Sequence, residues 1–289
     1  MIVHNFDPVL IDFGLFQIRW YSIAYILGIV LGWVYAIKVI IKRKKNTNNF
    51  EIIKKSDFDD LIIYLVLGIV LGGRLGYVIF YNLEYYIQNL SEIFMVWQGG
   101  MSFHGGLLGI VLSILLFSKN KNTSFFKYSD VIACVSPIGL FFGRIANFIN
   151  GELYGKYSNL PWSVIFPNID NLPRHPSQIY EAILEGVVLF LIINFFAFKN
   201  ILFLRKGLIS CLFLIIYSIL RIIGEIFRSP DEQIGYIFNF LSMGSLLSLL
   251  TLVAGILVFI KLKNHEQNNC SFKTKKINSS GQVYKFSSI

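Results

Sequence analysis

The sequence predicts an all-α polytopic membrane protein with about seven transmembrane helices and a small head on its outer side. Three observations carry this prediction. The 289 residues are 55% hydrophobic and 15% charged, with a mean hydropathy of +0.61, too apolar for a soluble domain and too ordered in composition for a disordered one. Apolar stretches long enough to cross a bilayer recur along the chain. Its Lys and Arg residues concentrate in alternate connectors between those stretches.

Residues 1–18 have no basic region ahead of their apolar positions and no small-residue cleavage site, so they read as an exported lead-in rather than a cleaved signal peptide. Spans are expected at about 20–41, 60–81, 99–118, 129–149, 177–198, 207–228 and 236–260. Each is near the roughly 20 residues that a bilayer requires. Lys42, Arg43, Lys44, Lys45, Lys54 and Lys55 follow the first span, and Lys119, Lys121 and Lys127 follow the third. Lys199, Arg205 and Lys206 follow the fifth and six lysines lie beyond the seventh, so eighteen of the 26 basic residues share one side. The opposite loops hold only Lys156 and Arg174, with Arg19 at the entry to the first span. This asymmetry places the N-terminus outside and the C-terminus in the cytoplasm. It also accounts for the formal charge of +9 without nucleic acid.

Pro137 falls inside the fourth span, where it should kink the helix and free a carbonyl. The outer segment 151–176 carries Pro161, Pro167, Pro173 and Pro176 and an apolar patch at 162–166, which suits a small folded cap. Residues 1–262 are therefore read as one membrane body, and the Lys, Asn and Ser-rich stretch 263–289 as a disordered cytoplasmic tail. Three cysteines are too few for a disulfide framework. The four histidines show no ligand spacing with each other or with cysteine, so a metal site is not expected.

The stretch GRIANFINGELYG, residues 143–155, brings an arginine, two asparagines and a glutamate to one membrane boundary. An intramembrane arginine costs at least about 2.5 kcal/mol, so Arg144 requires a partner and invites a functional reading. A guanidinium near the amide of Asn147 suits an anionic oxygen, phosphate above all. Counting along the spans places Tyr25, Arg74, His104, Arg144, Glu181, Arg221, Glu225 and Arg228 in the outer half of six different helices. With Glu152 of the 143–155 stretch, the expectation is a slightly cationic polar cavity of four arginines against three glutamates. Tyr217, Arg221, Glu225 and Arg228 step by four, four and three and share one helical face. For Glu225 a purely structural ladder, neutralising Arg221 and Arg228, is as good a reading as a functional one. His104 sits among Gly99, Gly100, Gly105, Gly106 and Gly109, which allow close approach of either a lipid or another backbone. A lone membrane histidine can be a packing residue or a catalyst.

The 143–155 string resembles the signature of the bacterial prolipoprotein diacylglyceryl transferases at Gly143, Arg144, Asn147, Phe148, Asn150, Glu152 and Gly155. The strings HPSQIYE at 175–181 and RIIGEIFRSPD at 221–231 also look like family motifs, whereas WYSIAY at 20–25 departs from the glycine-containing form. The resemblance covers roughly residues 8–260. It implies seven helices with a periplasmic head in the bacterial inner membrane. It further implies transfer of the diacylglyceryl group of phosphatidylglycerol to the lipobox cysteine thiol of a prolipoprotein signal peptide, with a thioether formed and glycerol phosphate released. No cofactor is needed for that reaction.

On this reading His104 is the candidate base, because imidazole accepts a proton near neutral pH. Tyr217 orients or relays a proton, and Arg144 and Arg221 hold the phosphate. Asn147, Asn150 and Glu152 position the headgroup or order the loop, with Gly155, Tyr25, Arg74, Glu225 and Arg228 as further binding positions. Two other classes compete. A transporter or lipid flippase predicts charges through the full membrane depth, but Glu185 alone lies nearer the midplane. An intramembrane hydrolase predicts a GxSG elbow or paired aspartates, and neither is present.

Overall fold

The computed structural model describes residues 2–14, 17–42, 53–96, 99–199, 206–230, 236–237 and 241–280, without the side chains of Phe103, His104, 236–237, 241 and 265–280. Among the described residues, eight α-helices follow in chain order, besides a 3-10 helix at Leu90–Phe94: α1 (Trp20–Ile41), α2 (Lys55–Tyr81), the short α3 (Leu83–Gln88), α4 (Phe103–Asn120), α5 (Phe125–Asn150), α6 (Ser177–Phe198), α7 (Leu208–Glu225) and α8 (Met243–Ser280). Six of these contain stretches long and apolar enough to cross a membrane, and α4 adds a shorter apolar stretch, Gly105–Asn120. The protein is therefore an all-α multi-pass membrane protein of about seven spans. Its outward apolar side chains agree, since Leu67, Leu71, Leu112 and Leu116 are all more than half exposed, as lipid-facing residues are.

Several span boundaries differ from the expectation, the second and fourth spans starting earlier, at Lys55 and Phe125. The third begins at Phe103 and not near 99, because Gly99 and Gly100 take φ of 87° and 75°, outside the helical region. Ser102 caps α4 instead, its hydroxyl accepting from the Gly105 N–H at 3.2 Å. The sixth stops at Glu225, which puts Arg228 beyond the helix. The seventh starts at Met243, since Tyr236–Ile237 and Leu241–Ser242 pair as a two-stranded ribbon. At its other end α8 continues as helix to Ser280, through the first part of the stretch expected to lack order; residues 281–289 lie outside the described ones.

Close backbone contact holds neighbouring helices antiparallel. A Cβ on Gly109 would lie 1.9 Å from the Gly68 carbonyl oxygen, and one on Gly72 would lie 2.4 Å from that of Gly105. The α4 glycines thus admit the α2 backbone, which decides the choice left open for Gly105 and Gly109. Gly109→Ala is expected to lower the thermal midpoint in detergent, at a cost of about 1–3 kcal/mol or more. Gly139→Ala, where a Cβ meets nothing within 4 Å, is the control and should leave the midpoint in place.

Pro137 is accommodated inside α5. The Asn194 amide of α6 donates to the Cys134 carbonyl at 3.0 Å, and Tyr35 of α1 donates to the Asn194 carbonyl oxygen at 3.0 Å. One amide therefore ties three helices together beside the proline. At the end away from the head, Asp130 is buried and its carboxylate accepts from Gly207 N at 2.8 Å and Ser210 N at 2.9 Å, capping α7 from another helix.

The head is assembled from distant segments. Ile2–Val3 pairs parallel with Val164–Ile165, which pairs antiparallel with Pro173–Arg174. His4 is buried against Phe6, Phe148 and Phe166, and its Nε2 donates to the Phe148 carbonyl at 2.7 Å, closing the last turn of α5. Isolated bridges join Gly155 to Arg228 and Tyr157 to Arg174.

Candidate active site

Arg144 projects from the head end of α5 toward two glutamates of α6. Its Nη1 lies 3.0 Å from Glu181 Oε2, and its Nε and Nη2 donate to Glu185 Oε2 at 3.2 and 2.9 Å. Arg221 of α7 meets the same carboxylates from the other side, with Nη1 2.5 Å from Glu181 Oε1 and 3.2 Å from Glu185 Oε1. Its Nη2 lies 2.9 Å from Glu225 Oε2, one turn along α7. Glu225 Oε1 accepts from the Ser242 hydroxyl at 3.0 Å, and Arg228 Nη1 stands 3.9 Å from Glu181 Oε1. Three arginines and three glutamates thus form one network across α5, α6, α7 and the ribbon before α8.

Local sequence explains how the network fits. Between Glu181 and Glu185 the chain is π-wound over Ala182–Val188, which widens α6 where both carboxylates face α5 and α7. A Cβ on Gly186 would lie 2.6 Å from that of Phe141, so the glycine brings α6 against α5 one residue from Glu185. Gly224 and Gly244 leave room beside the side chains of Glu181 and Glu225. Glu181 and Glu185 are fully buried, whereas the Arg144 side chain keeps 14% exposure, more than Arg221 or Glu225. Buried carboxylates of this kind require nearby cations, and here each has two or more.

The charge balance is a correction. The expected excess of one arginine included Arg74, but Arg74 does not join the network. It is buried, and its Nε donates to the Ile93 carbonyl at 2.9 Å and Nη2 to that of Glu92 at 2.6 Å, both in the short 3-10 helix Leu90–Phe94. Its Nη1 donates to the carbonyls of Gly99 and Gly100, and the guanidinium lies over the Tyr86 ring. Glu185, expected only as a midplane charge, takes its place in the network, which is neutral overall. Its spacing of four from Glu181 on one span is the signal that points to it. Arg228 belongs to the network but not to the helical ladder. It sits in the turn paired with Gly155.

Next to Arg144 stands a second polar group. Asn147 is buried and its amide donates to Glu152 Oε1 at 2.7 Å and to the Tyr21 hydroxyl at 3.0 Å. Gly151 ends α5 with φ 68°, a left-handed cap that returns the chain so that Glu152 N donates to the Asn147 carbonyl at 3.1 Å. Glu152 itself is exposed. Tyr25 packs on Tyr21, with ring centroids 5.2 Å apart, and is 56% exposed. Asn150 closes the last turn of α5, and its buried Oδ1 has no hydrogen-bond partner among the described residues. Gly155 lies where three strands of chain cross. A Cβ there would be 2.3 Å from the His175 carbonyl oxygen and 2.8 Å from that of Phe227, so this glycine shapes the head. Tyr217 stacks on Phe213 at 5.8 Å, one turn before Arg221. His104 stands in the first turn of α4, and its side chain lies outside the described residues.

In the head, burial and the charge of Lys156 push the His175 imidazole below its ordinary pKa. The folded state therefore binds fewer protons than the unfolded one below about pH 6.5, and stability falls as pH drops through that value. Amide protection factors in 155–175, taken relative to the intrinsic exchange rate at each pH, are expected to fall between pH 7.5 and 5.5 in the wild type. In His175→Gln this pH step should shrink.

The fold and site define a class: a polytopic membrane protein that gathers ionisable side chains at the head end of its helix bundle. The chain belongs to the prolipoprotein diacylglyceryl transferase family, whose model matches residues 8–261. It is 49% identical over 255 residues to the phosphatidylglycerol-prolipoprotein diacylglyceryl transferase of Rickettsia canadensis strain McKiel, covering 88% of this chain and 96% of the relative. It is 48% identical over 257 residues to that of Rhodopseudomonas palustris, covering 88% and 89% respectively. The relative from Rhodospirillum rubrum is 47% identical over 255 residues, covering 88% and 91%.

Proposed function

We propose that this protein transfers the diacylglyceryl group of phosphatidylglycerol to the lipobox cysteine thiol of a prolipoprotein signal peptide. It acts at the outer face of the bacterial inner membrane, with its N-terminus periplasmic and its C-terminus cytoplasmic. Family membership favours this reading over transport or hydrolysis. The observation that carries the site is Arg144, a guanidinium fixed by two buried glutamates and still reachable from outside the network.

In this reaction the cysteine sulfur attacks the glyceryl carbon that bears the phosphate. A C–S bond forms, the C–O bond breaks and the phosphate oxygen takes the electron pair. The thiol proton passes to a base, and glycerol phosphate leaves. Two demands follow: the thiol, with a reference pKa of about 8.5, must be deprotonated, and the phosphate charge must be held. Arginine has five N–H donors, and three of those on Arg144 are accounted for by Glu181 and Glu185. The rest can meet a phosphate oxygen without dismantling the network. Arg221 stiffens the same carboxylates and adds positive charge close by.

The exposed Glu152 carboxylate, held by Asn147, is suited to accept hydrogen bonds from headgroup hydroxyls. His104 takes the thiol proton, and Tyr217 orients the phosphate or relays that proton. Purified protein mixed with phosphatidylglycerol and a lipobox peptide is expected to yield a diacylglyceryl thioether, read by peptide mass. A peptide left unmodified, where a related transferase modifies it, overturns the proposal.

A further inference from the structure

The motif HPSQIYE contains two residues that the reaction does not use, Ser177 and Gln178, and both are fully buried. They open α6, and their side chains reach back to the loop that follows α5. The Gln178 amide donates to the Glu152 carbonyl at 2.6 Å, and the Ser177 hydroxyl donates to the Leu153 carbonyl at 2.9 Å. Between these two bonds the chain takes an uncommon turn: Leu153 has φ 58°, a left-handed conformation that a leucine rarely adopts. A non-glycine residue in that region persists only where its surroundings hold it. Here two buried side chains hold the carbonyls on either side of the Leu153 Cα. The neighbouring His175 carbonyl also accepts from Gly155 N at 3.1 Å.

From this geometry we infer that Ser177 and Gln178 are positioning residues that fix the Glu152 carboxylate for recognition of the phosphatidylglycerol headgroup. The path is short. Gln178 sets the Glu152 backbone, the Leu153 twist keeps the chain from relaxing, and the Glu152 side chain is thereby delivered to Asn147 at 2.7 Å. Neither residue needs to touch the lipid. Without the Gln178 donor, the Glu152 carbonyl loses its partner and the loop can rotate to find another. The carboxylate moves with it. The inference rests on the headgroup role proposed for Glu152.

The test is steady-state kinetics in mixed micelles with phosphatidylglycerol and a lipobox peptide, varied separately. Gln178→Leu is expected to raise KM for phosphatidylglycerol about ten-fold while KM for the peptide stays within about two-fold. A merely structural role would lower the amount of active enzyme, and so kcat, without moving either KM. In a Glu152→Gln background, Gln178→Leu should add less than about two-fold, since residues acting through one group are not additive. Ser177→Ala removes only the second bond and should raise the lipid KM about three-fold. It supplies the same readout if Gln178→Leu does not fold. An unchanged lipid KM in both variants, or full additivity with Glu152→Gln, overturns the inference. Failure of the wild type to modify the peptide at all would instead strike the reaction assignment.

Discussion

Arg144→Ala is expected to lower turnover by at least about 10²–10³-fold, the usual loss when one preorganised donor to a developing charge is removed. The variant also strands two buried carboxylates, because Glu181 and Glu185 would then share Arg221 and Arg228 alone. Removing one partner of a buried ion pair costs about 3–5 kcal/mol, so lost activity could come from lost fold. Arg144→Ala combined with Glu185→Gln separates the two effects. The double variant returns the network to two arginines and two glutamates, and its thermal midpoint should recover most of the way to wild type while turnover stays low. Full activity in either variant would remove Arg144 from the phosphate site.

His104→Gln is expected to slow the reaction by about 10²–10⁴-fold, the range for a positioned general base. The pH profile is the sharper readout. An imidazole base must be neutral to accept the thiol proton, so wild-type kcat/KM should show an acid limb that rises with pH as the imidazolium is titrated. In His104→Gln that acid limb should vanish. A profile of unchanged shape would exclude the histidine as base and move the role to Tyr217 or to a proton relay through it.

Much of this architecture was legible in the residues because bilayer physics constrains them strongly. Spanning length, basic connectors and the demand that Arg144 find a partner all follow from the cost of polar groups in lipid. The partner's identity was harder. Glu185 was set aside by its depth, although its spacing of four from Glu181 already puts both carboxylates on one helical face; what the count does not show is the π-wound stretch that widens α6 there. Arg74 shares a depth with the others but is consumed by four backbone carbonyls, those of Glu92, Ile93, Gly99 and Gly100, a tertiary contact with no periodic signature. The end of α7 left a trace in the sequence: Pro230 disfavours helix at Ser229, which marks a helix end close to Arg228. Gln178 and Ser177 were visible only as part of a motif, since their partners are backbone atoms of another segment.

The glycine contact between α2 and α4 also bears on traffic. A methyl group on Gly109 has no room against Gly68, and a methylene chain is no narrower. A two-tailed lipid arriving sideways from the bilayer therefore cannot thread this seam, and must pass between other helices to reach Arg144.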